Sequence, residues 1–417
     1  VVIIWIFMRL HIYLCFLSIV FSSLTKWIWR LKCSLGWRSA LVRARPALVV
    51  VVSGCDSGLG FQLARAARAR GLTVVAGLLQ GPQGPGGRSL GVAKDPHLHL
   101  VQLDVTSQES VDSLKDYVEK LLKDNPDYGL HAVVNNAGVM VMGEFEWQPS
   151  ELWEHQLAVN VGGAMRLSRA LLPALRASAQ FGAPRLITVG SHCAAQPLRG
   201  LAPYSASKAA LAAWVEAIRP ELKQYGVQVV NFIPGTHLIF FSLNKPTIYL
   251  ICPGRMVAST NLVTQQNVYT EKMRDSLTTE QHTFYSEYFE RYTRYVGQVS
   301  GEMRDPDTLD DPTLEDMFAA ALLEETPALQ YKHEPLEYTL YYNLMKIAPL
   351  ASLRYWFMEK LMNMPRTTGF SRVWRPDLNS QEPSSSPSPS PQHCLQPQNI
   401  LQLAPDGSNW DSCDVFT

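Results

Sequence analysis

The 417-residue sequence predicts an α/β fold in which one doubly wound parallel sheet is covered by helices on both faces. Short apolar runs alternate along the chain with stretches of helical periodicity. The runs are continuous rather than alternately apolar and polar, which is typical of parallel strands buried on both faces. A glycine-rich turn after the first run opens the first helical stretch, as in sheets that bind phosphate at a helix N-terminus.

The predicted elements follow one another in strand–helix order from residue 47. The strands are the apolar runs Ala47–Val52, Thr73–Ala76, Leu98–Leu103, Ala132–Val134, Leu186–Val189 and Val227–Ile233. The helices are Phe61–Arg70, Glu109–Lys123, Glu151–Leu175 and Tyr204–Tyr225, which carry helical spacing or an Ala-rich composition. This alternation predicts a single large domain, to which we assign residues 47–365.

The composition excludes several classes of protein. Hydrophobic residues make up 47% and charged residues 18%, so a wholly disordered or collagen-like chain is excluded. Lys+Arg and Asp+Glu are both 37, and the zero net charge argues against a nucleic-acid partner bound through phosphates. The seven cysteines are scattered without a CxxC pair, so we predict neither a disulfide framework nor a metal site.

The two ends of the sequence differ from this domain. Residues 1–34 are predicted as a hydrophobic membrane anchor, because an apolar stretch is followed by basic residues as far as Arg45. A cleaved signal peptide starting at Met8 is the alternative. Since the sequence starts with Val1 rather than Met, we expect a fragment or an imperfect gene model. Residues 376–417 are rich in Pro and Ser and are predicted to be disordered.

The turn after the first strand is typical of a Rossmann-type phosphate-binding site. It contains Gly54, Gly58 and Gly60, which allow a tight turn and let the backbone approach a pyrophosphate. The N–H groups of the following helix would meet the phosphate charge. Glycine spacing of this kind is weak evidence alone and also fits a plain strand–helix turn.

A second pattern brings a phenol and an ammonium together. Tyr204 and Lys208 are four residues apart on a predicted helix and so share one face. A free tyrosine has a pKa of about 10, and a nearby cation lowers it by favouring the phenolate. Ser191 lies thirteen residues before Tyr204, just after a strand, where its hydroxyl would meet a substrate oxygen. Asn160 lies on the long middle helix.

These residues together resemble the short-chain dehydrogenase/reductase superfamily over about residues 47–364. Its Thr-Gly-x-x-x-Gly-x-Gly turn is present with Ser53 in place of Thr, and its Asn-Ser-Tyr-Lys tetrad matches Asn160, Ser191, Tyr204 and Lys208. The Gly-Cys-Asp-Ser-Gly form is similar to the branch of retinol, hydroxysteroid and D-3-hydroxybutyrate dehydrogenases. The stretches 143–147 and 191–193 are also similar to arthropod, shroud-type members of that branch.

The resemblance implies a catalytic tetrad and a dinucleotide site. Tyr204 would exchange the hydroxyl proton, Lys208 would lower the pKa of Tyr204 and hold the ribose, and Ser191 would orient the substrate oxygen, while Asn160 would hold a water. The implied cofactor-binding residues are Ser53, Gly54, Asp56, Ser57, Gly58, Gly60, Asp104, Asn135, Asn136, Ala137, Gly138, Tyr204, Lys208, Pro234, Gly235 and Thr260. Asp56 and the uncharged end of the second strand favour NAD over NADP, which requires a cation for its 2′-phosphate.

One segment interrupts the resemblance. The superfamily has one Pro-Gly pair after the sixth strand, whereas this sequence has two, at Pro234-Gly235 and Pro253-Gly254. Joining Gly235 to Arg255 restores the branch pattern and puts Thr260 in the expected place near the nicotinamide. We therefore interpret residues 236–254 as a retained intron, with a genuine membrane-contacting insertion as the alternative.

The remaining expectations concern the substrate. Residues 261–330 are interpreted as a substrate lid, and residues 336–364 as an apolar C-terminal element that is an interfacial helix, a lid or plain core. Aromatic residues recur at helical spacing within the first of these regions and would wall a lipophilic pocket, fill the core or form a dimer face: Phe284, Tyr285, Tyr288, Phe289, Tyr292 and Tyr295.

The predicted function is NAD-dependent interconversion of a secondary alcohol and a ketone on a lipophilic substrate, most of all a steroid. D-3-hydroxybutyrate and retinol are alternative substrates, and a small hydroxy acid would need a cation such as Lys332 for its carboxylate. A dinucleotide-binding scaffold without catalysis is the alternative class. We expect a homo-oligomer at a membrane, the endoplasmic reticulum being favoured over the mitochondrion.

Overall fold

The computed structural model of the chain describes residues 40–92, 94–234, 265–301 and 312–333, together with Tyr355 and Pro365. Its strands are β1 Leu48–Ser53, β2 Thr73–Leu78, β3 Leu98–Gln102, β4 Gly129–Asn135, β5 Arg185–Val189, β6 Gln228–Ile233 and β7 Gln330–Lys332. Its helices are α1 Gly58–Ala69, α2 Pro85–Gly91, α3 Gln108–Asp124, α4 Ser150–Leu157, α5 Ala164–Ala177, α6 Ala202–Lys223, α7 Gln266–Ser276, α8 Thr279–Gly301 and α9 Pro312–Leu323.

The strands form one parallel sheet in the order β3-β2-β1-β4-β5-β6-β7. The chain moves outward from β1 to β3 and then returns to place β4 on the other side of β1. The predicted doubly wound parallel sheet is therefore confirmed. The six predicted strands all form, because continuous apolar runs fit a sheet covered on both faces.

Alternate residues of each central strand enter two separate cores. On one face Val50 and Val52 pack in a cluster that includes residues of α1 and α9. On the other face Val49 and Val51 pack in a cluster with residues of α3, α5 and α6. The sheet is thus a rigid platform that fixes the positions of the loops at its carboxyl ends.

Two features of the helices differ from the prediction. The predicted helix 151–175 is interrupted by a π-helical turn, Ala158–Gly163, which contains Asn160. The region 261–330, interpreted as one lid, divides into two parts. Helices α7 and α8 pack in a cluster with Tyr204, whereas α9 carries Phe318 and Leu322 into the core of the sheet.

Buried polar side chains hold the carboxyl end of α9 against the sheet. Arg185 donates to the carbonyl oxygens of Ala321 and Glu324 at 3.1 and 2.9 Å, and the ring Nε2 of His131 lies 2.7 Å from the carbonyl oxygen of Leu322. Burial lowers the pKa of Arg185 to about 10 and that of His131 to about 4, so at pH 7 the pair carries one charge. Cations and donors at a helix C-terminus satisfy its last carbonyl groups.

Several predictions lie outside the described residues. These are the anchor 1–34, the segment 236–254, nearly all of the element 336–364 and the tail 376–417. Within the described part of the chain, none of the helices has the length and apolar character needed to cross a bilayer.

Candidate active site

The predicted site residues converge at the carboxyl edge of the sheet, near the ends of the neighbouring strands β1 and β4. The strand order changes direction between these two strands, and open α/β sheets bind ligands in the crevice outside such a point. The turns after β1, β4 and β5 all reach this edge, where they carry the glycine turn, the segment 136–138 and Ser191.

The glycine turn is locked to the turn after β4 by side chains on both sides. The Ser53 hydroxyl accepts hydrogen bonds from the backbone N–H groups of Asn136 and Ala137, both at 3.1 Å. The Asn136 amide donates to the carbonyl oxygen of Ser53 at 2.9 Å. Gly60 lies so close that a Cβ atom there would be 2.1 Å from the carbonyl oxygen of Gly54. Ser53 and Asn136 therefore shape the turn, and Gly60 is required for its close packing.

Asp56 joins the glycine turn to the end of β2. Its carboxylate accepts hydrogen bonds from the backbone N–H groups of Leu79 at 2.8 Å and Gln80 at 2.9 Å. Arg88 on α2 donates to the carbonyl oxygen of Gln83, just before that helix, at 2.6 Å. The carboxylate is thus fixed at the strand end where an acidic residue recognises the ribose in dinucleotide-binding sheets.

Tyr204 and Lys208 lie side by side in a buried position on α6. The ammonium nitrogen of Lys208 is 5.9 Å from the centre of the Tyr204 ring and donates to the carbonyl oxygen of Val189 at 3.1 Å. Burial lowers the pKa of Lys208 to about 8. Burial also raises the pKa of Tyr204 well above its ordinary value, while the neighbouring Cys193 acts in the same direction and a hydrogen bond with Ser191 opposes them.

Ser191 begins a short turn beside this pair. Its side chain accepts a hydrogen bond from the backbone N–H of Cys193 at 3.1 Å, at the start of the 3₁₀ turn His192–Ala194. Burial raises the pKa of the Cys193 thiol to about 11, so the thiol is neutral at pH 7. His192 is buried, with its ring Nε2 3.4 Å from the carbonyl oxygen of His333, which fits the packing role that a lone histidine usually has.

The π turn presents Asn160 to the loop after β4. Its side chain accepts from the backbone N–H of Val139 at 2.8 Å and donates to the carbonyl oxygen of the same residue at 2.9 Å. It also donates to the Ser207 hydroxyl, which in turn donates to the carbonyl oxygen of Tyr204. A Cβ atom on Gly138 would be 3.2 Å from Asn160 Oδ1 and 3.6 Å from Lys208 Nζ. Asn160 is therefore connected through Ser207 to Tyr204 and lies close to Lys208.

Two predicted cofactor residues have side chains that serve the fold. The Asn135 amide donates to the hydroxyl of Ser168 at 2.8 Å and is buried between β4 and α5. The carboxylate of Asp104 accepts from the backbone and hydroxyl of Thr106 at 2.8 and 2.6 Å, which shapes the turn before α3.

The last predicted contacts lie at or beyond the limit of the described chain. Pro234 follows directly after β6 and ends this part of the structure, whereas Gly235 and Thr260 lie outside the described residues. Ser57 is the N-cap residue of α1 and Gly58 has φ +57°, so both belong to the glycine turn as predicted.

Sequence reasoning did not find three residues that organise the site. Ser207 lies between Tyr204 and Lys208 in the sequence. Its i, i+3 spacing from Tyr204 could have indicated that the two residues are neighbours on the helix. Gln266 on α7 donates to the carbonyl oxygen of Met140 at 2.7 Å and accepts from the N–H of Met142 at 2.8 Å. That contact joins residues more than 120 positions apart, and no local pattern indicates it. No local pattern indicates a role for Glu144 either.

This geometry gives an α/β domain with a Tyr–Lys pair at the carboxyl edge of its sheet. Residues 48–239 match the family model for short chain dehydrogenase. Within the described part of the chain, no group of three or more His, Cys, Asp or Glu side chains is arranged to hold a metal ion.

Curated relatives match the same part of the sequence. The mitochondrial D-beta-hydroxybutyrate dehydrogenase of Rattus norvegicus is 33% identical over 198 residues, which are 47% of this chain and 56% of that protein. Estradiol 17-beta-dehydrogenase 2 of Mus musculus is 39% identical over 187 residues, or 45% and 47% of the two chains. The 11-beta-hydroxysteroid dehydrogenase type 2 of Oryctolagus cuniculus is 35% identical over 187 residues, or 45% and 44%. The chain thus spans about half the length of the curated relatives it matches.

Proposed function

We propose that the chain is an NAD-dependent oxidoreductase that interconverts a secondary alcohol and a ketone. The observation that carries this proposal is the buried pair of Tyr204 and Lys208, with Ser191 beside Tyr204, at the carboxyl edge of the sheet. Burying an ammonium costs free energy, and a domain that only binds a dinucleotide has no need to place one beside a phenol.

The glycine turn fits the diphosphate of a dinucleotide. No acidic side chain lies in the first turn of α1. The positive end of the helix dipole is therefore not offset locally, which suits a phosphate. The Asp56 carboxylate at the end of β2 suits the hydroxyl groups of the adenosine ribose and repels a 2′-phosphate, so NAD is proposed rather than NADP.

The residues of the site perform the proton chemistry. At pH 7 burial keeps the Tyr204 phenol protonated, so it donates its proton to the oxygen of a ketone substrate. In the opposite direction Tyr204 first releases its proton to solvent, and the adjacent ammonium of Lys208 stabilises the phenolate that forms. The phenolate then accepts the alcohol proton, which restores the phenol. The Ser191 hydroxyl orients the substrate oxygen toward Tyr204. When bound, the nicotinamide supplies or accepts the hydride.

The substrate is proposed to be lipophilic, with a steroid alcohol as the leading candidate. Tyr204 belongs to a buried cluster that is otherwise apolar or aromatic and includes side chains of α7 and α8. The names of two relatives refer to estradiol and a hydroxysteroid, and that of a third to D-beta-hydroxybutyrate. Retinol and D-3-hydroxybutyrate remain alternative substrates, and Lys332 at the end of β7 is the candidate cation for the latter.

The remaining parts of the proposal concern the chain as a whole. Residues 1–34 anchor the protein to a membrane, which we propose to be the endoplasmic reticulum, and the protein forms a homo-oligomer.

Residues 236–254 are a retained intron. The active form is therefore the shorter chain, in which Pro234-Gly235 leads directly to Arg255 and on to Thr260. Sequencing the transcript tests this point, since a message containing only the unspliced form overturns it.

Turnover with Tyr204→Phe tests the proposed function. The full chain and the chain without 236–254 are assayed with NAD and, separately, a steroid alcohol, retinol and D-3-hydroxybutyrate. We expect turnover of the steroid and its loss by a factor of at least about 10² in Tyr204→Phe, the contribution of a positioned acid–base group, with unchanged NAD binding. Tyr225→Phe, at an exposed tyrosine just beyond the C-terminal end of the same helix, is the matched control. NAD binding without turnover of any alcohol would favour the scaffold.

A further inference from the structure

Glu144 connects two loops and a helix that the sequence places far apart. Its carboxylate accepts a hydrogen bond from the Arg199 guanidinium at 2.5 Å and one from the Tyr288 hydroxyl at 2.5 Å. Arg199 also donates to the Tyr288 oxygen at 2.9 Å, and its guanidinium lies 5.9 Å from the Tyr288 ring centre. The three groups therefore form a closed triangle, which we call the Glu144 triangle.

The triangle fixes helix α8 to the loop after β4. Tyr288 is on α8, Glu144 follows β4, and Arg199 precedes α6, which carries Tyr204. The Glu144 side chain is 25% exposed and that of Arg199 34%, whereas Tyr288 is buried. Hydrogen bonds between ionised groups and partly buried partners are stronger than neutral ones, so this contact resists movement of α8.

The helix held in this way forms an aromatic wall. Trp147, three residues after Glu144, packs against the rings of Tyr285, Tyr288, Phe289 and Tyr292 with centroid distances of 5.0 to 5.4 Å. All of these rings except Tyr285, which packs against the others from outside, belong to the same buried cluster as Tyr204, Leu198 and Leu201. The position of α8 therefore determines the shape of the apolar surface beside Tyr204.

We propose that Glu144 and Arg199 are positioning residues that set the aromatic wall against Tyr204 and so determine selection of bulky apolar alcohols. The inference rests on the proposed function and adds the part of the chain that decides substrate size. Neither residue touches the tetrad in the described contacts, so they act through Tyr288 and α8. A small alcohol makes few contacts with the wall and is turned over with little dependence on the triangle.

A neighbouring contact provides a matched control. Glu146 accepts a hydrogen bond from the hydroxyl of Tyr285 at 2.5 Å and one from the Gln281 amide at 3.2 Å. It joins the same loop to the same helix, but it is exposed and pairs with no guanidinium. Exposed contacts of this kind contribute little to stability. Glu146→Gln therefore makes the same substitution as Glu144→Gln, but at a contact that contributes less to holding α8.

Hydrogen exchange of the full chain tests the triangle without requiring activity. We expect amide exchange in residues 279–296 to rise about tenfold in Glu144→Ala, which corresponds to about 1.4 kcal/mol, and to rise less in Glu144→Gln and Tyr288→Phe. Glu146→Gln is expected to exchange as the wild type does. Equal exchange in Glu144→Ala and the wild type overturns the proposal, whether or not the protein turns over an alcohol.

Kinetics test the consequence for substrate choice. In Glu144→Gln and Arg199→Gln the KM for a steroid alcohol is expected to rise about tenfold or more at nearly unchanged kcat, while 2-propanol turnover and NAD binding stay within about twofold of wild type. Glu144→Asp is expected to recover part of the loss. Parallel losses for both alcohols overturn the selection role. Absence of turnover in the wild type would sink the proposed function instead, and the exchange data would then decide the triangle alone.

Discussion

Replacing Lys208 by Met is predicted to stabilise the protein while destroying its activity. Burial lowers the pKa of Lys208 from 10.5 to about 8. One pKa unit corresponds to about 1.4 kcal/mol, so keeping the ammonium in the folded state costs about 3 kcal/mol at pH 7. The variant also loses the hydrogen bond from the ammonium to the carbonyl oxygen of Val189, which is worth about 2 kcal/mol. The net expectation is a folded state more stable by about 1 kcal/mol.

The pH dependence of this difference follows from the same shift. Between about pH 8 and 10.5 the unfolded chain keeps the Lys208 proton while the folded protein has released it. The unfolded state then binds more protons, so the stability of the wild type rises with pH in this window. Below pH 8 both states are protonated and the cost is constant. The advantage of Lys208→Met should therefore be full at pH 7 and shrink as the pH approaches 10.5.

Urea unfolding at pH 7, 8, 9 and 10 measures the effect, followed by turnover of the active form. Lys223→Met is the matched control, because Lys223 is exposed at the end of the same helix, and its effect should stay within about 0.5 kcal/mol. A Lys208→Met protein that is less stable than the wild type at pH 7 would refute the reasoning. So would a stability difference that stays constant up to pH 10.

Three further predictions concern other parts of the molecule. Arg185→Met removes a guanidinium whose burial costs about 3 kcal/mol, but it also removes four hydrogen bonds to the carbonyl oxygens of Ala183, Ala321 and Glu324, worth about 1.5 kcal/mol or more each, so the free energy of unfolding should fall by about 2–3 kcal/mol in urea titrations; an unchanged midpoint would contradict this role. Gly60→Ala puts a Cβ atom 2.1 Å from the carbonyl oxygen of Gly54, so NAD affinity measured by calorimetry should fall at least about tenfold, whereas an unaffected affinity would place the dinucleotide elsewhere. Asp56→Ala removes the acceptor at the end of β2 and should raise the ratio of NADP to NAD affinity, measured by fluorescence titration; a constant ratio would show that Asp56 does not select the cofactor.

Local sequence predicted the site where the relevant contacts are local. Tyr204 and Lys208 share a helix face at i, i+4, so their proximity follows from helix geometry alone. The glycine turn could be read because only glycine tolerates φ values such as the +71° of Gly54 without strain. The strands could be read because a parallel strand buried on both faces must be continuously apolar.

The sequence by itself therefore determined the sheet, the order of its strands and helices along the chain, and the residue types of the tetrad. Tertiary structure decided how Asn160 reaches Val139 through a π turn, and that α9 belongs to the sheet rather than to a lid. It also decided that Glu144 meets Tyr288, 144 positions later in the chain. Periodicity indicates which face of an element is buried. These contacts depend instead on which distant surface covers that face, and sequences with the same periodicity can cover it with different surfaces.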